Sequence, residues 1–389
     1  MVGLVMFAGD AEFVDAAVIG AGPAGAIAAL GLARRGRRVL LIEKQRFPRP
    51  KVCGCCLNAN ALATLDHAGL SGLTRKLGAV PLEHAELFAA GRRARLRLPA
   101  GVSLSRPALD GALVEAARDA GAGFRDGVSA RVRSGDVGYT LRLGDGRTVA
   151  ARVVVVADGL SGSSLTAVPG FGVQTRPASR VGFGGMAAET DHADGPAAGT
   201  IAMACGRAGY LGAVRLENGR LDFAAAIDAD ALKHLGGPAA AAREMLRQAG
   251  RDHDAWPLDR VTRWRATPAM TRRRPRLAGP GLFVVGDAAG YVEPFTGEGM
   301  AWALAGGHAV AGYADRAVAG DRADLAAAWT AEHRRRVRRR QAVCRVVAAT
   351  LRRPRLTAGV VGVLSCFPRL ASPVTSRLAR PTPHGALPA

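Results

Sequence analysis

Gly20, Gly22 and Gly25 are spaced for binding a dinucleotide. They lie in Asp15-Ala16-Ala17-Val18-Ile19-Gly20-Ala21-Gly22-Pro23-Ala24-Gly25, where an apolar run enters a glycine turn and an alanine-rich stretch leaves it. The first glycine permits the tight turn, the second lets backbone approach a pyrophosphate, and the third lets the helix pack on the strand. Pro23 and Ala24 stand at the first helical positions, where free N–H groups and partial positive charge meet phosphate oxygens. A second apolar run, 39–42, closes on Glu43 and Lys44, 18 and 19 residues beyond Gly25. A carboxylate at that place can accept hydrogen bonds from ribose hydroxyls. The strand–turn–helix–strand–acid order is the context that gives the glycine pattern its meaning.

Gly286-Asp287-Ala288-Ala289-Gly290-Tyr291-Val292-Glu293-Pro294-Phe295-Thr296-Gly297-Glu298-Gly299-Met300 is a second cluster with chemical potential. An apolar run, 282–285, ends at Gly286-Asp287, and an apolar helix is predicted from about Gly299 through Trp302 and Leu304. Asp287 is placed to bind the hydroxyls of a sugar-like chain, and the helix would direct its positive end at what lies beside it. Glu298 reads either as an acid favoured by the helix dipole or as a proton donor, and His308 as a packed histidine. A third apolar run, 153–156, ends in Asp158-Gly159.

These segments need a scaffold, and the sequence predicts one. Apolar runs with nucleotide loops bracket a region rich in hairpins, which turn at Asp145-Gly146 and Asn218-Gly219. Helices are expected over 24–35, 58–69 and 109–120. The expected fold class is α/β: a Rossmann-like ββα domain with an inserted antiparallel β-sheet lobe and a C-terminal helical tail. The nucleotide domain is assigned to 12–75, 100–180 and 262–323, the sheet lobe to 76–99 and 181–261, and the tail to 324–389.

Taken together, the glycine turn with Glu43, the Asp158-Gly159 pair and the Gly286-Asp287 segment resemble the FAD-dependent monooxygenase and reductase superfamily with the p-hydroxybenzoate-hydroxylase-like fold. The loop Arg49-Pro50-Lys51-Val52-Cys53-Gly54 and the segment 286–300 resemble its geranylgeranyl reductase and FixC-like branch. The resemblance implies FAD held by Gly20, Gly22, Pro23, Ala24, Gly25, Glu43, Lys44, Cys53, Gly54, Arg106, Asp158, Gly159, Gly286, Asp287, Pro294, Gly297, Gly299 and Met300. NADPH or NADH would bind transiently as electron donor, since no second glycine turn is present. The implied substrate is a small apolar molecule, isoprenoid- or polyketide-like, with carbon–carbon double-bond reduction as the reaction. Flavin-hydroperoxide hydroxylation and a membrane-associated electron-carrying role are the alternatives. The branch's Tyr-x-Trp-x-Phe-Pro substrate motif is absent; the nearest segment is 209–214, where Tyr210 reads as a pocket wall or as core. Cys53, Cys55 and Cys56 are open to packing, to contact with flavin or substrate, or to a redox pairing, and no metal ligand set accompanies them. Cys53 and Tyr210 are the catalytic candidates.

Composition constrains the setting. The 389 residues carry 53 basic and 32 acidic side chains, and lysine occurs only at 44, 51, 76 and 233. Arginine-rich usage fits a GC-rich genome; attraction to an anionic partner is the other reading. Six scattered or clustered cysteines do not form a secreted disulfide framework. Residues 1–13 lack a basic region and carry Asp10 and Glu12, so no signal peptide is expected. A cytoplasmic protein is expected, with peripheral contact to the inner membrane face through the basic run 333–340, or else with that run as a solvated helix face. No recognition motif or interleaved aromatic residue accompanies the arginines, which speaks against nucleic acid.

Overall fold

The computed structural model describes residues 12–135, 138–188, 195–252, 256–293, 295, 297–321 and 323–379. Pro294 and most of the N-terminal stretch lie outside the described residues. The central eight-stranded sheet is built on four apolar runs. Glu12–Ile19 lies between Val39–Ile42 and Thr148–Val156, parallel to both, and Leu282–Val284 adds parallel to Thr148–Val156. Such runs are apolar on both faces because helices cover both sides of a parallel sheet. Here Pro23–Ala33 packs against Gly299–Val318 and Arg106–Asp119. The hairpin strand Tyr139–Leu143 pairs antiparallel with Thr148–Val156 around the Asp-Gly turn.

The second sheet has seven strands in the order Arg265–Ala269, Val181–Met186, Leu221–Ile227, Gly209–Arg215, Thr200–Cys205, His84–Ala89, Arg92–Arg97. It is antiparallel except where Thr200–Cys205 runs parallel to His84–Ala89, two strands joined by a long excursion through the other sheet. Its faces differ. Leu221, Phe223, Ala225 and Ile227 pack with Met245, Leu246 and Trp256. Asp222, Ala224 and Ala226 alternate with them and border a cavity. The period-two alternation of a strand thus sets an apolar back and a small-residue front.

The tail is helical over Leu325–His333, Arg339–Leu351, Pro354–Cys366 and Ser372–Ala379. Trp329 anchors it: the ring is fully buried, meets Tyr313 edge-on, and donates from Nε1 to the Val284 carbonyl at 3.1 Å. The arginine run is a π-helical stretch, Arg334–Arg338, in which Arg334 and Arg335 are exposed. Arg336 is buried against Glu332, Val337 is buried, and Arg340 lies 3.9 Å from Glu298.

Candidate active site

The strand Glu12–Ile19 delivers the chain to Gly20, whose φ of +100° belongs to the region that favours glycine. A Cβ there would lie 2.3 Å from the Ala157 carbonyl oxygen, and one on Gly25 would lie 1.8 Å from the Gly20 oxygen. The turn therefore fits only without side chains at these two places. Gly22 faces outward, and a Cβ on it would meet only the guanidinium tips of Arg49 and Arg106, at 3.5 and 3.7 Å. Asp110, fully buried, holds both arginines: Arg106 donates to it from Nε and Nη2 at 3.0 and 2.7 Å, and Arg49 Nη2 lies 3.4 Å away. Two guanidinium groups beside a helix N-terminus suit a pyrophosphate.

Glu43 is buried, accepts the Ala21 amide at 3.0 Å and the Gln45 amide at 3.1 Å, and lies 3.4 Å from Arg49. Asp158 accepts the Ser164 amide and hydroxyl through Oδ2, while its buried Oδ1 has no partner. Lys44 reaches Ser161 at 2.5 Å, and Lys51 lies 3.7 Å from Asp287. Gly286 turns with φ +64°, and its Cβ position is 3.0 Å from Ala24. The second nucleotide segment therefore abuts the first helix.

One cavity of about 960 Å³ joins these groups. Gly20, Gly22, Pro23, Ala24, Glu43, Lys44, Cys53, Gly54, Arg106, Asp158, Gly159, Gly286, Asp287, Gly297, Gly299 and Met300 all border it. Gly25 stands behind the turn, in helix–strand contact. The unpartnered Asp158 oxygen, the Arg49–Arg106 pair and the open face at Gly22 form a cradle with the polarity and size for FAD.

Tyr210 forms part of both wall and core: its buried ring meets Phe295 edge-on at 5.0 Å and borders the same cavity. Glu298 does not border it. This carboxylate is fully buried at the start of Gly299–Val318 and accepts from Asn58 at 2.6 Å and Trp302 at 3.0 Å. Burial pushes it up to about 7. Its place is that of a positioning group holding the helix start. His308 is half-buried on the same helix, and burial lowers its pKa.

Sequence reasoning missed Asp222, and it left Arg49 and Lys51 without roles although it quoted their loop. Asp222 is buried, borders the cavity, and has an unpartnered Oδ2. Burial raises its carboxyl well above the usual range, and charge on Cys53 raises it further. Cys53 shifts the other way, down to about 6, through hydrogen bonding with the Cys55 thiol and through Arg106. Cys55 has φ +51° and is buried, and the Cys56 thiol lies 2.8 Å from the Gly54 carbonyl. The thiolate is the form that alkylates, so iodoacetamide modification of Cys53 should reach half its maximal rate near pH 6 and fall below it. A half-point near the ordinary thiol value of about 8.5 would contradict this environment. Among the described residues, no group of three or more His, Cys, Asp or Glu side chains could hold a metal ion.

The family model described as "FAD binding domain" matches residues 13–346. A menaquinone reductase of Mycolicibacterium smegmatis is 29% identical over 363 residues, covering 88% of this chain and 85% of its own. A digeranylgeranylglycerophospholipid reductase of Methanothermobacter thermautotrophicus is 27% identical over 313 residues, covering 76% and 75%. A solved geranylgeranyl bacteriochlorophyll reductase-like protein of Thermoplasma acidophilum shares the fold, with TM-score 0.71, 20% identity, and coverage of 91% and 92%.

Proposed function

The chain belongs to the FAD binding domain family and is a FAD-dependent oxidoreductase, and from that premise we propose that it reduces a carbon–carbon double bond in an apolar, isoprenoid- or polyketide-like substrate with NADPH or NADH as electron donor. The observation that carries the reading is Asp222: a buried carboxyl with an unpartnered Oδ2 that borders both the cofactor cradle and the apolar part of the cavity. The relatives named as reductases support it.

When bound, FAD supplies two-electron hydride chemistry between nicotinamide and substrate. The residues that would hold it are the Gly20–Gly25 turn with Arg49 and Arg106 at the pyrophosphate, Glu43 at the ribose, Asp158 beside the nucleotide, and Asp287 at the sugar-like chain. Leu87, Ile201, Met203, Leu351, Val361 and Leu364 form an apolar wall that excludes water and orients an aliphatic substrate. Reduction of a double bond needs a hydride at one carbon and a proton at the other. Burial and the Cys53 charge both disfavour the carboxylate form of Asp222, which makes it the proton donor in this reading. It releases that proton from Oδ2, the atom without a partner. Solvent restores it between turnovers.

Hydroxylation would use the same cavity, and the oxygen dependence of the product separates the two reactions. Without oxygen, NADPH or NADH should bleach the visible flavin band of the purified protein. A band that persists with both donors would remove the nicotinamide from the reading.

A further inference from the structure

Among the described residues, the last helices of the tail form an elbow with two apolar faces. Pro354–Cys366 and Pro368–Ser376 meet at 119°. On the first helix Thr357, Val361 and Leu364 recur at helical spacing and border the cavity. Leu356, Val360, Val363 and Phe367 recur on the adjacent face, at 45%, 40%, 52% and 64% exposure, with Val360 also at the cavity rim. Leu370 and Val374, which also border the cavity mouth, continue the exposed stripe around the bend, at 61% and 44%. Six of the eight exposed large apolar side chains of the described residues fall in this one elbow. A helix apolar on both faces is covered on both faces, and a clustered exposed patch marks an interaction site.

Charge identifies the partner. No Asp or Glu occurs after Glu332. Arg353, Arg355 and Arg369 are exposed around the stripe. The elbow packs on the sheet-edge strand Arg92–Arg97, where Arg92 donates to the Ala358 carbonyl at 2.8 Å, and that strand exposes Arg93, Arg95 and Arg97. An apolar ridge rimmed by arginine matches a bilayer surface: side chains enter the acyl boundary while guanidinium groups meet phosphates. The 13-residue helix spans roughly 20 Å, short of the ~30 Å hydrocarbon core. It therefore suits lying in the interface.

We propose that the elbow 354–376 docks the protein on an anionic lipid surface, with the cavity opening against the membrane. The surface lies on α-helical elements distinct from the arginine run 334–338. The consequence for substrate rests on the reductase reading: an apolar molecule would pass from bilayer to cavity without crossing water.

The test uses the full flavin-loaded chain and sedimentation with vesicles. Vesicles of phosphatidylcholine with phosphatidylglycerol should carry it down, and pure phosphatidylcholine much less, with binding that weakens as salt rises. Val363→Ser with Phe367→Ser, both outside the cavity lining, should weaken binding at least ~10-fold while flavin content and NADPH bleaching stay as in the unaltered chain. Arg353→Glu with Arg355→Glu should reduce the preference for phosphatidylglycerol. Protein left in the supernatant with anionic vesicles, or a serine pair that binds as tightly, would overturn the proposal. So would self-association through this face without vesicle binding. Docking can fail while NADPH still bleaches the flavin, and bleaching can fail while docking holds, so the two readings fall separately.

Discussion

Gly25→Val should purify without flavin. The Cβ alone would stand 1.8 Å from the Gly20 oxygen, 3.0 Å from the Gly20 carbonyl carbon and 3.2 Å from the Ala157 methyl. The first two are backbone atoms and cannot swing aside. The helix Pro23–Ala33 must retreat from the strand or the turn must open, and either displaces the amides that would meet the pyrophosphate. Overpacking of this kind destabilises by about 1–3 kcal/mol or more, and the loss of aligned amides and guanidinium groups should weaken FAD retention ~100-fold or further. Gly111→Ala is the matched control. It lies inside Arg106–Asp119 with nothing within 4 Å of its Cβ position, so it should gain up to about 1 kcal/mol from helix propensity and keep its colour. Absorbance of the purified variants and thermal melts read both outcomes. A yellow Gly25→Val protein would show that the turn does not bind the cofactor.

Asp222→Asn should retain flavin and fold while losing about 10²–10³-fold in turnover. Asparagine matches the neutral carboxyl in shape and leaves no charge to bury, so the melting temperature should hold or rise. What disappears is the transferable proton. The pH profile carries the sign. Asp222 is active protonated and its pKa is raised, so turnover in the unaltered chain should fall as pH climbs past that raised value. In the asparagine variant this alkaline limb should vanish. Unchanged turnover would reduce Asp222 to a packing residue and remove the observation on which the reductase reading rests.

The glycine turn, Glu43 and the Gly286-Asp287 segment were legible because local chemistry dictates them: a tight turn, a close approach and a helix start leave signatures within a few residues. The hairpins at Asp145-Gly146 and Asn218-Gly219 were legible for the same reason. The parallel pairing of Thr200–Cys205 with His84–Ala89 was not, since it joins strands more than a hundred residues apart. Asp222 escaped because its meaning depends on which strand face meets the cavity. The available signal was an acid alternating with Ala224 and Ala226 opposite Leu221, Phe223 and Ile227. The tail was legible only in part: composition marks its arginine run, but not that Arg336 is buried on Glu332, nor that an exposed apolar stripe lies 20 residues further on. Glu298 illustrates a related limit. Whether a first-turn acid serves the dipole, a proton or a helix anchor depends on Asn58 and Trp302, which only the fold brings to it.

The central claim is reduction of a double bond at the flavin. The direct measurement is mass spectrometry of geranylgeranyl diphosphate, which has no quinone ring to take up the electrons, after incubation with the protein and NADPH, with and without oxygen. The account predicts a product heavier by two hydrogen atoms that forms equally well without oxygen. A product that gains an oxygen atom, and forms only in air, would contradict it.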